Sequence, residues 1–123
     1  MEIHESSEDY LETILILKER TGQVRSIDIA TEMNYSKPSI SVAMKKLREN
    51  GYIEVDRDGF ITLTDSGYEI ASSIYDRHKL LTKFFISLGV DAEVAAVDGC
   101  KIEHDLSEET FQKIREHALK TIK

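Results

Sequence analysis

Apolar side chains recur at helical spacing in three windows of the first fifty residues. Tyr10, Leu11, Ile14, Leu15 and Leu17 predict a first helix, with Ser6 or Ser7 as its cap and Gly22 as its end. Ile27, Ile29, Ala30 and Met33 predict a short second helix, capped by Ser26 and followed by a turn at Asn34-Tyr35. Ser36 caps a third helix, which tolerates Pro38 in its first turn and is closed by Gly51. Ile40, Ala43, Met44 and Leu47 form its buried stripe. Residues 52–64 then alternate apolar and polar around Asp56-Arg57-Asp58-Gly59, the pattern of a hairpin. Beyond it the helical period returns. A long helix starts at Asp65 or Ser66, runs to about Leu88 and stops at Gly89. Asp91 caps a fifth helix reaching about His104, and Ser107 caps a sixth, with Glu109 or Thr110 near the reciprocal capping-box position.

Three helices followed by a two-stranded hairpin is the order of a winged helix-turn-helix. The expected fold is therefore mainly α with a small β-hairpin wing. A winged helix-turn-helix domain over residues 1–64 precedes an all-helical domain over residues 65–123. The third helix is the reading element. Pro38, Ser41, Val42 and Lys45 lie opposite its apolar stripe, flanked by Ser39 and Lys46. Carbon surface there suits thymine methyls, hydroxyls suit base edges or phosphate, and lysines suit phosphate. The face has no Arg or Asn pair for bidentate base reading, so shape is expected to carry much of the selectivity. Ser36, Lys37 and the wing-tip Arg57 complete the candidate contacts. The alternative is a merely solvated helix face and a solvated turn charge.

Charge bears on that reading. The chain of 123 residues has a net charge of -7, which argues against constitutive nucleic-acid binding. The deficit is uneven: -5 over residues 1–35, +1 over 36–63 and -3 over 64–123. The one non-negative stretch is the one assigned to DNA. Bound divalent cations would offset part of the acidic surplus and favour approach to phosphate. No apolar run is long enough to span a membrane, and the N-terminus lacks the basic and apolar regions of a secretory signal. A single cysteine fits a reducing cytoplasm.

Six possible metal ligands occur in three clusters. Asp9 and Glu12 are three apart, His78 is alone, and Cys100, Glu103 and His104 are spaced i, i+3, i+4. On a helix each spacing brings side chains toward one face. Carboxylate, imidazole and thiolate together suit a divalent transition metal. Taken singly, each has an ordinary reading. Acids suit a helix start, a histidine suits a polar face, and a cysteine is a small buried residue.

The joint pattern resembles the diphtheria toxin repressor family, which includes iron-dependent repressors and shorter manganese transport regulators. The resemblance rests on Ser7-Glu8-Asp9-Tyr10-Leu11-Glu12, Ser36-Lys37-Pro38-Ser39-Ile40-Ser41, Tyr75-Asp76-Arg77-His78 and Ile102-Glu103-His104-Asp105-Leu106-Ser107, in order along nearly the whole chain. It implies a homodimeric, metal-activated repressor of metal-uptake operons, with Asp9, Glu12, His78, Cys100, Glu103 and His104 as ligands. One metal would take Asp9, Cys100, Glu103 and His104. A second would sit between Glu12, His78 and a shared carboxylate. Asp9 and Glu12 look like the manganese branch, and Cys100 like the iron branch. Thr82 and Ala96 stand where the iron branch has its second ligand set. The SH3-like domain of longer members is expected to be absent, because residue 123 follows soon after helix six. The resemblance gives His4 and His117 no role.

A thiolate shifts preference toward Fe²⁺, Co²⁺ or Zn²⁺. Fe²⁺ is the expected activator, narrowly over Mn²⁺, with Zn²⁺ or Co²⁺ able to substitute in vitro. Leu80, Leu81, Phe84, Phe85, Leu88, Val90, Val94 and Val97 are the apolar load expected to pair two copies. Twofold symmetry then requires a pseudo-palindromic operator. Metal would tie the first helix to the 100–104 segment and fix the separation of the two reading helices. The alternatives are a winged-helix regulator without metal control, a metalloenzyme and a metal buffer. The sequence has neither an H-E-x-x-H motif nor a nucleophile elbow, and a buffer would not need a reading helix.

Overall fold

The computed structural model describes residues 5–121, and His4 lies outside them. The element order is α1 (Glu5–Thr21), α2 (Ser26–Met33), α3 (Lys37–Glu49), β1 (Ile53–Val55), β2 (Ile61–Leu63), α4 (Asp65–Ser87), α5 (Ala92–Ile102) and α6 (Glu108–Thr121). This is the winged helix-turn-helix followed by helices that the sequence predicts. The chain divides into two compact units between Ser72 and Ser73, within α4.

In the first unit Leu11, Ile14, Leu15 and Leu17 of α1, Ile29 and Ala30 of α2 and Ile40, Met44 and Leu47 of α3 are buried with Ile53 and Ile61 of the hairpin. Ile27, expected to face inward, is 44% exposed. With only eight residues, α2 buries one narrow stripe, and Ile29 and Ala30 fill it. The strands pair antiparallel with Ile53 opposite Leu63 and Val55 opposite Ile61. The turn is held by Asp56, whose Oδ1 accepts from the amides of Asp58 and Phe60, and Gly59 takes the left-handed conformation. Val24 adds to the sheet edge, its carbonyl accepting from Ile61 N–H at 2.7 Å.

Two expected caps differ. Since α1 begins at Glu5, Ser6 and Ser7 lie inside its first turn. At α2 the cap position is Arg25, and Ser26 is the first helical residue. There the Asp28 carboxylate reaches back to the Arg25 amide at 2.9 Å, the bond that the third helical residue makes in a capping box. Ser36, Asp91 and Ser107 cap α3, α5 and α6 as expected. Their side chains accept from Ser39 N–H, from Glu93 and Val94 N–H, and from Thr110 N–H respectively.

In the second unit Ile74 and Leu81 of α4, Ala95 and Gly99 of α5 and Phe111 and Ala118 of α6 are buried. Gly99 faces Thr82 so closely that an added Cβ would lie 2.9 Å from Thr82 Oγ1. Leu81, expected on the pairing surface, is fully buried within the chain itself. Ile86, Leu88, Val94, Val97 and Leu119 are exposed. No helix among the described residues is long and apolar enough to cross a membrane.

Candidate functional site

The first unit presents the face expected to meet DNA. Ile40, Met44 and Leu47 turn inward, so Pro38, Ser39, Ser41, Val42, Lys45 and Lys46 are left exposed on the other side of α3. Val42, 56% exposed, is an uncovered apolar group among hydroxyls and ammoniums. Lys37 and the wing-tip Arg57 are exposed too. Ser36 is committed locally: its Oγ accepts from Ser39 N–H and donates to Ser39 Oγ at 2.8 Å. Arg25 has no role that the sequence alone reveals. Its guanidinium stacks on the wing residue Phe60, 4.3 Å from the ring centroid. That contact joins residues 35 apart, beyond the reach of local patterns.

Asp9 and Glu12 lie on α1, three residues apart. Glu12 is 7% exposed, an unusual burial for a carboxylate, while Asp9 is half-buried. Tyr10 stands beside Asp9 and edge-on to Tyr35, with centroids 6.2 Å apart. Burial, then the charges of Tyr35 and Asp9, hold its phenol above the usual range.

The second unit brings three of the expected ligands together. Glu103 is completely buried. His78 Nδ1 lies 3.1 Å from its Oε2, and His104 Nε2 lies 3.3 Å from its Oε1. The His104 side chain is 2% exposed and that of His78 is 25% exposed. Among the described residues neither Glu103 oxygen has a hydrogen bond of acceptable geometry. Two imidazole nitrogens beside two carboxylate oxygens in a buried place are donors of the kinds that divalent transition metals take.

Helix α5 is expected to reach about His104, and its end lies two residues before that. The helix ends at Ile102, and its C-cap Glu103 keeps helical dihedrals, at φ -59 and ψ -28. Asp105 N–H then closes a turn onto the Ile102 carbonyl. The shared face is likewise only partial. Cys100 is exposed while Glu103 is buried. Residues three apart differ by roughly 60° around a helix, enough to put a face boundary between them.

Arg77, to which the sequence alone gives no task, shapes that turn. Its Nη1 donates to the carbonyls of Glu103 and Leu106, each at 3.1 Å. Its Nη2 donates to Glu108 Oε2 at 2.7 Å, and its guanidinium lies over the Phe111 ring. Glu108 is held below the usual carboxylate range, first by the hydrogen bond from Gln112 and then by that from Arg77. His117 is on an exposed face of α6, its ring edge-on to Phe84.

Comparison with known proteins also gives two parts, which meet between residues 59 and 64. A family model described as the N-terminal DNA-binding domain of iron-dependent repressors matches residues 2–59. A second, described as their metal-binding and dimerisation domain, matches residues 64–120. An uncharacterized HTH-type transcriptional regulator of Methanocaldococcus jannaschii is 35% identical over 113 residues, covering 90% of each chain. The transcriptional regulator MntR of Escherichia coli O157:H7 is 33% identical over 108 residues, covering 88% of this chain and 70% of its own. Among solved structures, a manganese-dependent transcriptional repressor in complex with manganese superposes with a TM-score of 0.83 at 28% identity, over 91% of this chain and 52% of the other. The IdeR protein of T. acidophilum gives 0.79 at 26% identity, over 95% and 55%. The chain thus spans about half the length of these solved neighbours. Both domain models, and a relative 35% identical along nine-tenths of the chain, establish that it belongs to the iron-dependent repressor family.

Proposed function

We propose that this chain is a metal-activated, DNA-binding transcriptional repressor of genes for metal uptake, acting in the cytoplasm as a homodimer. The observation that carries the reading is Glu103. A fully buried carboxylate, with no well-aligned hydrogen bond among the described residues and flanked by the nitrogens of His78 and His104, is an arrangement that a bound cation makes favourable. It accompanies a winged helix whose α3 exposes lysines, hydroxyls and a valine.

The proposed ligands are Asp9, Glu12, His78, Cys100, Glu103 and His104. Asp9, Cys100, Glu103 and His104 would hold one ion, and Glu12, His78 and a shared carboxylate a second. When bound, the ion supplies positive charge that cancels carboxylate repulsion. Residues 1–64 are proposed to bind DNA, and residues 65–123 to bind metal and pair two copies. Lys45, Lys46, Lys37 and Arg57 are assigned to phosphate, and Ser36, Pro38, Ser39, Ser41 and Val42 to groove surface. Activation by Fe²⁺ or Mn²⁺ is proposed, with Cys100 deciding between them and with Zn²⁺ or Co²⁺ able to fill the site in vitro. The exposed Ile86, Leu88, Val94 and Val97 support an interface on the helical domain.

The test is selection of binding sites from random duplex DNA under anaerobic conditions, with Fe²⁺, Mn²⁺, Zn²⁺ or a chelator. The expected result is recovery only with metal, of pseudo-palindromic DNA with half-sites one helical turn apart or a multiple of it. Recovery of the same DNA in chelator would favour a winged-helix regulator without metal control.

A further inference from the structure

We propose that Arg77 is the positioning residue of the metal centre, acting through the backbone of the ligand-bearing turn rather than through the ion. The inference rests on the metal reading above. Adjacent residues of α4 hold Glu103 at both ends. His78 faces its carboxylate at 3.1 Å, while Arg77 binds its carbonyl at 3.1 Å. The same guanidinium holds the Leu106 carbonyl and the Glu108 carboxylate. It therefore spans the turn from its first residue to the start of α6. Both carbonyls come from the stretch between α5 and α6, where helical partners run out and the chain needs outside donors. Arg77 is well placed to supply them, being 13% exposed and braced against the Phe111 ring. A planar fork with five donors can serve three acceptors at once, whereas the ammonium of lysine is a point donor on a flexible stem. The consequence for the site is direct. Glu103 and His104 are consecutive, so the dihedrals that Arg77 fixes set where both side chains point.

The sign of the effect separates this role from a simple charge effect. A cation near a cation site repels the metal, so removing it should tighten metal binding on Coulomb grounds alone. Removing a positioning residue should weaken it, by about 10–100-fold for the partners that orient metal ligands. The experiment is Mn²⁺ titration of the full chain and of Arg77→Gln and Arg77→Lys. It is accompanied by the Co²⁺ absorption spectrum of each and by hydrogen exchange of the metal-free proteins. Arg77→Gln is expected to bind Mn²⁺ about 10–100-fold more weakly, with an altered Co²⁺ spectrum and faster exchange at the Glu103 and Asp105 amides. Arg77→Lys keeps the charge and is expected to rescue affinity only in part. A role confined to global stability would leave the Co²⁺ spectrum of the folded, loaded variant unchanged, and that result overturns the inference. So does equal or tighter Mn²⁺ binding by Arg77→Gln, or full affinity in Arg77→Lys. Failure of the unaltered chain to bind either metal would instead sink the metal reading and this inference with it.

Discussion

Gly67 offers a test in which helix propensity and packing point in opposite directions. It lies in the first turn of α4 and its φ is not in the left-handed region, so alanine fits the backbone. Propensity alone makes Gly67→Ala stabilising by about 1 kcal/mol. Yet a Cβ there would fall 3.0 Å from the Tyr52 carbonyl carbon and well inside contact with its oxygen. The obstacle is backbone, which cannot swing aside as a side chain can. The start of α4 must retreat from the Gly51–Tyr52 segment. Three hydrogen bonds join the two: Thr64 N–H to Tyr52 O at 3.0 Å, Thr64 Oγ1 to Gly51 O at 2.7 Å and Ser66 Oγ to Gly51 O at 3.2 Å. Breaking them costs about 2–4 kcal/mol at roughly 0.5–1.5 kcal/mol each. Setting the propensity gain against that leaves a net destabilisation of about 1–3 kcal/mol, the usual range for overpacking. At roughly 3–6 °C per kcal/mol for a chain of this size, Tm should fall by about 3–18 °C. Thermal unfolding of the full chain, followed by circular dichroism, measures it. An unchanged or raised Tm would show that α4 is not seated against the base of the wing as described.

Other consequences concern function. Lys45→Ala and Lys46→Ala should each weaken binding at all DNA sequences. Each should also reduce the salt dependence by about one unit of slope for every phosphate no longer neutralised, as read from affinity against salt concentration. If both leave affinity and slope unchanged, α3 is not the DNA-facing element. Cys100 is exposed and should react readily with an alkylating reagent in the metal-free protein. A coordinated thiol is deprotonated and covered by its metal, so labelling should slow when Fe²⁺ is added. Equal labelling rates would remove Cys100 from the ligand set. Cys100→Glu makes the proposed set wholly oxygen and nitrogen and should shift activation toward Mn²⁺, measured by metal-dependent DNA binding.

Local chemistry made most of the fold legible. The stripe Ile40, Met44, Leu47 fixed which face of α3 is buried, and therefore which residues are exposed. Asp56 and Gly59 marked the hairpin because an Asx turn and a positive φ need those residue types. Where sequence patterns misled, a competing interaction won. Ser26 is the first helical residue and not the cap, and the Asp28 carboxylate ties the Arg25 amide to that helix start. Helix α5 stops short of His104 where Arg77, 26 and 29 residues away, takes the Glu103 and Leu106 carbonyls. Leu81 looked like interface because periodicity reports which face is apolar, not whether the same chain covers it. The pairing of His78 with Glu103 spans 25 residues, and in advance the family resemblance grouped His78 only with Glu12 and an unnamed shared carboxylate. No pattern within one helix encodes a contact of that separation.

Metal control of DNA affinity is the central claim. Its most direct measurement is the affinity for a selected duplex with and without Mn²⁺, for the unaltered chain and for Glu12→Ala and His104→Ala. A coupling of about 1–3 kcal/mol should tighten binding by the unaltered chain roughly 5–150-fold. The two variants, folded and dimeric, should bind weakly whether or not metal is added. If both still gain affinity with Mn²⁺ as the unaltered chain does, the buried carboxylates and imidazoles are structural, and the metal account is wrong.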